Sequence, residues 1–205
     1  MAAISDNTSR DRQENGAGMP EPMRELLQQC LKRDRKAQRQ LFDFYKHKVH
    51  DLVFKSLGPK FDVDDIIQQA FIEVFKSISY FKGDSSFDTW VYRICVKVCT
   101  NQLRKKYRKR QPQIIFDSQQ ADTEIDTTDG GPFADLEKKE LERAIYDALD
   151  KLDAEKRITV VMYEMDGRSL EEIAQATNIP LGTVKSRLFH GRKMLEKHLK
   201  RFLEK

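Results

Sequence analysis

Residues 169–192, SLEEIAQATNIPLGTVKSRLFHGR, predict a helix, a tight turn and a second helix that is basic. Ser169 followed three positions later by Glu172 is a capping-box pattern, which marks the start of the first helix. Asn178 lies at the turn, where a short polar side chain tolerates the left-handed backbone conformation. Pro180 opens the second helix at a position where its missing N–H has no cost. The pattern is typical of a helix-turn-helix.

The second helix of this motif presents polar and basic side chains, while Val184 and Leu188 point inward. Side chains of this kind contact phosphates and base edges when a helix enters the major groove. The alternative is a solvated basic helix in an ordinary bundle. The pattern favours DNA binding, through the polar residues Thr183, Lys185, Ser186, Arg187, His190 and Arg192.

The composition of the 205-residue chain favours helices. Charged residues make up 34%, there are only nine glycines and six prolines, and the mean hydropathy is −0.68. No stretch approaches the roughly 18 to 20 consecutive apolar residues of a membrane span, and the first 22 residues lack the apolar core of a secretory signal. We expect a cytoplasmic protein that does not insert into a membrane.

Three cysteines, Cys30, Cys95 and Cys99, cannot all pair within one chain, and their spacing matches no zinc pattern. We interpret them as buried, reduced thiols. The four histidines form no ligand cluster, and the sequence contains no phosphate-binding loop or nucleophile motif. We therefore expect no metal, no cofactor, no catalytic residue and no small-molecule substrate.

Charge is strongly segregated along the chain. Residues 91–116 carry eight basic and no acidic side chains, residues 117–135 carry six acidic and no basic ones, and residues 181–205 carry eight basic against two acidic. The acidic stretch is rich in Asp, Thr and Gln and has almost no apolar residues, so it cannot fold alone. Two basic surfaces therefore flank an acidic, flexible linker.

These patterns predict an all-α chain with two small helical domains. We assign a disordered tail to 1–22, a first helical domain to 23–111, the flexible acidic linker to 112–135 and a second helical domain to 136–205. In the first domain, Gly58-Pro59 interrupts the helical pattern, and Asp62 or Asp64 caps the next helix. In the second domain, a long helix continues to about residue 165, and the helix-turn-helix and a terminal basic helix complete a four-helix unit.

Three segments, DVDDIIQQAFIEVFKSI from residue 62, FKGDSSFDTWVYRI from residue 81 and SLEEIAQATNIPLGTVKSRLFHGRKML from residue 169, carry a family resemblance. In this order, joined by an acidic linker, they resemble the extracytoplasmic-function class of bacterial sigma factors, the small two-domain members of the primary sigma family. The resemblance covers about 34–110 and 136–199. It implies a subunit that directs core RNA polymerase to promoters.

The resemblance assigns the acidic helix that follows Asp62 to docking on the coiled coil of the largest polymerase subunit. Asp64, Asp65 and Gln68 are its implied polar contacts, although the same residues could merely cap and solvate the first turn of the helix. Gln69 replaces the glutamate that is usual in the family. The polymerase flap, promoter DNA and an anti-sigma factor are further implied partners.

The resemblance also implies that the first domain captures melted bases of the minus-ten element. A loop would hold an unstacked base, and the helix after it would follow the opening strand, where aromatic stacking and cationic contacts supply about 1–3 kcal/mol per base. Phe87 and Trp90 are equally compatible with core positions, and Lys97 stands where many members carry Asn. The implied residues are Lys82, Gly83, Asp84, Ser85, Phe87, Trp90, Arg93, Lys97, Asn101, Arg104, Lys105 and Arg108.

The second helix of the helix-turn-helix is implied to recognise the minus-thirty-five element. His190 stands where an arginine is common, and it lacks the bidentate fork that arginine offers guanine. The linker is implied to thread the RNA exit path, as an acidic mimic of nucleic acid or as a simple spacer. The implied base-reading residues are Thr183, Lys185, Ser186, Arg187, Phe189, His190 and Arg192.

Two other functions compete with a non-enzymatic sigma factor. A stand-alone regulator would use the helix-turn-helix on an operator, but the sequence shows no ligand pocket or phosphoacceptor for it. An RNA-processing or nucleotide-modifying enzyme would need Asp64 and Asp65 to share a metal ion, yet adjacent helical positions point about 100° apart.

Overall fold

The computed structural model describes residues 19–110 and 132–203, and within these ranges it is all helical. The first part comprises four α-helices and a short 3₁₀ turn, Ile78–Tyr80. The second part comprises four further α-helices. In chain order the α-helices are α1 (Glu21–Leu31), α2 (Arg35–Leu57), α3 (Val63–Ser77), α4 (Phe87–Arg110), α5 (Pro132–Leu149), α6 (Ala154–Glu164), α7 (Leu170–Thr177) and α8 (Leu181–Leu203).

In the first part, α2, α3 and α4 pack against one another and α1 packs on α2. Asp34 and Asp62 begin α2 and α3 by accepting hydrogen bonds from the backbone N–H groups of Ala37 and Asp65, at 2.8 and 3.0 Å. The sequence allowed either Asp62 or Asp64 as the cap of α3, and the structure shows that it is Asp62. The apolar side chains along one face of α3 lie in the core, apart from the half-buried Phe75; the buried ones are Ile66, Ile67, Ala70, Phe71 and Val74.

In the second part, α5, α6 and α7 all pack against α8. The number of helices agrees with the predicted four, but they divide the sequence differently. Asp153 accepts a hydrogen bond from the N–H of Lys156 at 2.8 Å and starts α6, so the predicted long helix is two helices. The second helix of the helix-turn-helix, called the recognition helix below, and the terminal basic helix are instead one continuous helix of 23 residues. Nothing in the sequence between them interrupts the helical backbone.

The two parts pack directly on each other. Helix α4 contacts α6 and α7, and α2 contacts α6. One apolar cluster contains buried side chains from both parts, among them Leu103 and Cys99 of α4 with Ile158 and Met162 of α6. Since all four of these side chains are at most 2% exposed, the cluster is a shared core.

Two helices begin inside segments that we assigned to disordered or linker sequence. Helix α1 starts at Glu21, within the predicted tail, and α5 starts at Pro132, within the predicted linker. Each has a proline in or beside its first turn, Pro22 and Pro132, where the missing N–H breaks no intrahelical bond. Residues 1–18 and 111–131, the remainder of the tail and most of the linker, lie outside the described residues.

The capping box at the start of α7 predicts a measurable stability effect. Ser169 Oγ accepts from the N–H of Glu172 at 3.1 Å, and Glu172 Oε2 accepts from the N–H of Ser169 at 2.9 Å. We expect Ser169→Ala to lower the free energy of unfolding by about 1 kcal/mol, because the backbone N–H of Glu172 loses its side-chain acceptor. Urea denaturation followed by circular dichroism measures it. A loss no larger than that of the exposed-site control Ser79→Ala would contradict the assignment.

Candidate nucleic-acid and polymerase interfaces

The helix-turn-helix has the geometry that the sequence predicted. The capping box starts α7, and Asn178 ends it in the left-handed conformation with φ of 55°. Val184 and Leu188 are buried, which fixes the rotation of α8 about its axis. Gly191 allows α8 to approach α6 closely, because a Cβ at this position would lie 2.5 Å from Cγ2 of Val160.

The outward face of α8 carries most of the side chains assigned to base reading. Lys185, Ser186, Phe189 and His190 are exposed, and Thr183 and Arg187 are half-buried. The Phe189 ring, 64% exposed, lies edge-on to the His190 ring at 5.3 Å. An exposed aromatic ring beside cationic and hydroxyl groups suits contacts to thymine methyl groups and base edges.

Arg192 differs from the other residues of this set. Its Nε donates to Glu164 Oε1 of α6, and its guanidinium lies over the Tyr163 ring at 4.9 Å. The hydrogen bond and charge of Glu164 raise the pKa of Arg192 further above its usual value. This residue therefore ties α8 to α6, and its planar face is engaged within the protein.

A cleft of about 1,060 Å³ runs along the first part of the chain beside α4. Trp90, Lys97, Asn101, Lys105 and Arg108 line it, and their spacings of seven, four, four and three residues place them along one face of the helix. Lys97, Asn101, Lys105 and Arg108 are exposed. The 76%-exposed Tyr80 also lines this cleft. Two aromatic rings beside a row of cations match the surface that single strands prefer.

Phe87 is buried, with 3% of its surface exposed, and this corrects its assignment as a DNA contact in the present arrangement. It packs against Tyr45, Phe81 and Trp90 at ring-centroid distances of 5.8, 5.2 and 5.4 Å. Trp90 is half-buried and keeps one side toward the cleft. The sequence could not show which of the two rings is buried and which faces the cleft, because both residues lie in the first turn of α4.

The loop that precedes α4 is open to solvent. Lys82 and Asp84 are exposed, Gly83 and Ser85 are half-buried, and Gly83 has a φ of 81° that favours glycine. Ser86 Oγ accepts from the N–H of Thr89 at 3.1 Å and caps α4. Arg93 is half-buried one turn further along. The loop and the basic face of α4 are thus continuous.

The start of α3 forms a separate acidic surface. Asp64, Asp65 and Gln68 are exposed on its first two turns, and Ile72, 51% exposed, follows one turn later. Gln69 is instead half-buried, and its Oε1 accepts from Gln102 Nε2 of α4 at 2.6 Å. An exposed acidic patch that ends in an apolar side chain suits docking on a basic protein partner.

Among the residues that join the two parts of the chain, four that meet at the end of α2 were not predicted as contacts. They are Tyr146, Asp150 and Arg157 of the second part and Lys106 of the first, and hydrogen bonds or ion pairs link each of them across the boundary. Only Arg157 left a signal, as one cation at the start of the apolar run Ile158–Met162. The others are ordinary members of amphipathic or basic helices.

The three cysteines are free and buried, as predicted. Burial raises the pKa of the Cys30 thiol to about 11 and that of Cys95 to about 12. Within the described residues, no three potential metal-ligating side chains come together. No helix in these ranges has both the length and the apolar character to cross a membrane.

Comparison with known families matches both parts of the chain. The family model for Sigma-70 region 2 matches residues 41–109, and the model for Sigma-70, region 4 matches residues 142–195. The first match contains the acidic surface of α3 and the cleft of α4, and the second contains the helix-turn-helix.

Two curated relatives match over most of their length. The chain is 34% identical over 178 residues to the ECF RNA polymerase sigma-E factor of Escherichia coli strain K12, covering 83% of this chain and 91% of the relative. It is 32% identical over 178 residues to the protein of the same name from Haemophilus influenzae, covering 83% and 92%.

Two solved structures share the fold. CnrH in complex with the cytosolic domain of CnrY has a TM-score of 0.56 and 23% identity, covering 87% of this chain and 97% of that one. The sigma factor RpoE of Bartonella quintana in complex with the anti-sigma factor NepR has a TM-score of 0.53 and 21% identity, covering 79% and 96%. At these identities the likeness concerns the fold alone.

The cleft of α4 predicts a spectroscopic response to single-stranded DNA. Trp90 is the only tryptophan of the chain, so its emission reports on the cleft. We expect a mixed-sequence single strand to quench this emission through stacking, with an apparent affinity that falls as salt rises because Lys and Arg displace counterions. Lys105→Ala/Arg108→Ala should weaken the binding, and Lys46→Ala/Lys48→Ala on α2 is the matched control. Unchanged emission at saturating strand would contradict the prediction.

Proposed function

The chain belongs to the extracytoplasmic-function class of the sigma-70 family of transcription initiation factors, and we propose that it binds core RNA polymerase and directs it to promoters as a non-enzymatic specificity subunit. The observation that carries the proposal is the face of α4, where exposed Lys97, Lys105 and Arg108 continue the line of Trp90 along an open cleft. A melted strand needs both cations and aromatic rings, and this face presents both.

The acidic start of α3 supports the docking step. Asp64, Asp65 and Gln68 are exposed and lie away from the cleft, so α3 can bind the largest-subunit coiled coil while α4 remains open to DNA. Opposite charges on the two sides of such a contact raise the association rate and fix the orientation of the two proteins. The flap is the second polymerase contact that we propose, for the second part of the chain.

The cleft and the loop before α4 supply the minus-ten contacts. The loop residues Lys82, Gly83, Asp84 and Ser85 hold a base that has left the stack, and Trp90 stacks on its neighbour. The side chains of Arg93, Lys97, Asn101, Lys105 and Arg108 follow the phosphates along α4. Phe87 contributes indirectly, because its buried ring packs against the Trp90 ring and sets its position.

The helix-turn-helix supplies the minus-thirty-five contacts. Helix α8 enters the major groove with Lys185, Ser186, Phe189 and His190 outward, and Thr183 and Arg187 at the edges of this face. Arg192 supports the helix through Glu164. The protein acts with polymerase on chromosomal DNA, which places it in the cytoplasm.

Transcription from fragmented genomic DNA tests the proposal. We expect the purified chain and core polymerase to produce discrete 5′ ends that share two upstream elements. Asp64→Ala/Asp65→Ala should abolish these starts and polymerase binding together. The matched control, Asp43→Ala/Asp51→Ala, removes two exposed carboxylates from α2 and should leave both intact. Absence of initiation, with tight binding of the free chain to one duplex sequence, would favour the stand-alone regulator.

The recognition helix has its own expected signature. Lys185→Ala should weaken binding of polymerase carrying this chain to all duplex promoters and lower the salt slope by about one, as for a single phosphate contact. His190→Ala should alter the preferred base at one position of the minus-thirty-five element instead. Titration of promoter binding at several salt concentrations measures the slope, and selection from a randomised promoter library measures the base preference. Equal effects of the two substitutions on all sequences would contradict base reading by His190.

A further inference from the structure

The cleft beside α4 is also lined by residues of α3 and of the 3₁₀ turn. These residues are Gln69, Glu73, Ser77 and Tyr80, and their spacings of four, four and three positions place them along one face. Successive residues of a helix point about 100° apart. Gln69 therefore lines the cleft, whereas its neighbour Gln68 is exposed on the acidic surface. Helix α3 thus contributes to the cleft as well as to the acidic surface.

A hydrogen bond between two side-chain amides joins α3 to α4 in the lining of the cleft. Gln102 Nε2 donates to Gln69 Oε1 at 2.6 Å, and both side chains are half-buried. A carboxamide has one oxygen that accepts and one nitrogen that donates twice. The bond therefore leaves Oε1 of Gln102 and Nε2 of Gln69 unused, and no other group of residues 19–110 and 132–203 bonds to them. Both atoms are accessible to solvent, so a ligand in the cleft can use them.

The unused groups of this amide pair are one donor and one acceptor. Reversing both amides together would leave the same combination, so it does not depend on which end of each amide is called oxygen. Adenine presents an acceptor, N7, beside a donor, its N6 amino group, and glutamine amides are its usual partners. Guanine presents two acceptors and cytosine a donor alone. The amide pair therefore matches adenine best among the four bases.

The neighbours of the amide pair on α4 are suited to holding a nucleic-acid strand. Lys105 and Arg108 are exposed and line the same cleft within two turns of Gln102. Trp90 precedes Gln102 by 12 positions, which is about 18 Å along a helix. The ring and the amide pair therefore meet different bases of one strand, with the amide pair on the side away from the loop that precedes α4.

We propose that Gln69 and Gln102 form a base-reading site in the cleft, which selects adenine at one position of the minus-ten element. The inference rests on the proposed function, which takes α4 to be the DNA-binding face, and deepens it by naming the base and the residues that read it. It also separates Gln69 from the polymerase contacts of α3. One face of α3 docks on polymerase and the face that carries Gln69 reads DNA.

The glutamine at position 69 is what makes the site specific for adenine. A glutamate there would still accept the hydrogen bond from Gln102, but it has no donor to offer. The site would then present acceptors alone, which suit the N4 amino group of cytosine. Gln69→Glu therefore keeps the shape of the site and the bond to α4 while exchanging its preferred base.

A purely structural amide pair would behave differently. If the hydrogen bond served only to fasten α3 to α4, Gln69→Glu would preserve it and leave the base preference unchanged. Base reading instead predicts a change at one position of the DNA and at no other. The preferred base thus distinguishes the two roles, whereas stability does not.

Selection from DNA that is part duplex and part single-stranded, with the minus-ten positions randomised, tests the site. The full-length chain, free and with core polymerase, binds the library, and sequencing of the bound DNA gives the base preference. We expect the wild type to enrich adenine at one position. Gln69→Glu should lower the ratio of adenine to cytosine there by about tenfold, within the range of one bidentate contact. Gln102→Leu should abolish the preference at that position.

The matched control is Gln40→Glu, which makes the same chemical change at an exposed position of α2 and should keep the preference for adenine. Circular dichroism melting verifies that the variants fold. If Gln102→Leu does not fold, Gln69→Glu decides the question alone. Absence of adenine enrichment by the wild type, or the same preferred base for the wild type and Gln69→Glu, would overturn the proposal.

Transcription by the wild type tests the proposed function separately. Discrete starts, together with an unchanged base preference in Gln69→Glu, would overturn base reading by the amide pair and leave the proposed function intact. A shift from adenine to cytosine without any initiation would support the amide pair and contradict the proposed function.

Discussion

The contact between Arg157 and the end of α2 is the interaction on which the arrangement of the molecule depends. A fully buried guanidinium needs partners for its donors, and the structure supplies two backbone carbonyls and one carboxylate. The carbonyls belong to one part of the chain and the guanidinium to the other. Packing of the two parts in this orientation therefore gives the buried guanidinium the partners without which its burial would be costly.

Much of the local structure could be predicted from sequence because short-range chemistry determines it. The capping box of Ser169, the left-handed Asn178 and the inward Val184 and Leu188 all follow from neighbouring residues. The apolar face of α3 follows from its periodicity in the same way. Long-range chemistry left no comparable signal. Asp150 looks like any acidic residue near a helix end until Lys106 and Arg157 are placed beside it.

The site illustrates the same division. Exposure of Lys185, Ser186, Phe189 and His190 was predictable from helical geometry, because their inward neighbours are apolar. The separate roles of Phe87 and Trp90 were not, since both are aromatic and lie within one turn. The pairing of Arg192 with Glu164 could not be predicted, because the two residues are 28 positions apart in the sequence. Without that partner, Arg192 looked like one more DNA-contacting cation of the helix-turn-helix. The predicted long helix is interrupted because Asp153 caps a new helix, α6. Composition alone does not indicate which aspartate forms such a cap.

The central claim is that the Arg157 contact holds the two parts of the chain in one orientation, and a distance between the two parts measures this most directly. Spin labels at Ser79→Cys and Gln175→Cys would report it, because both positions are exposed and the native cysteines are buried. The account predicts one narrow distance distribution in the wild-type chain and a broad one when Arg157→Ala removes the contact. A broad distribution in the wild-type chain, or a narrow one that Arg157→Ala leaves unchanged, would contradict it.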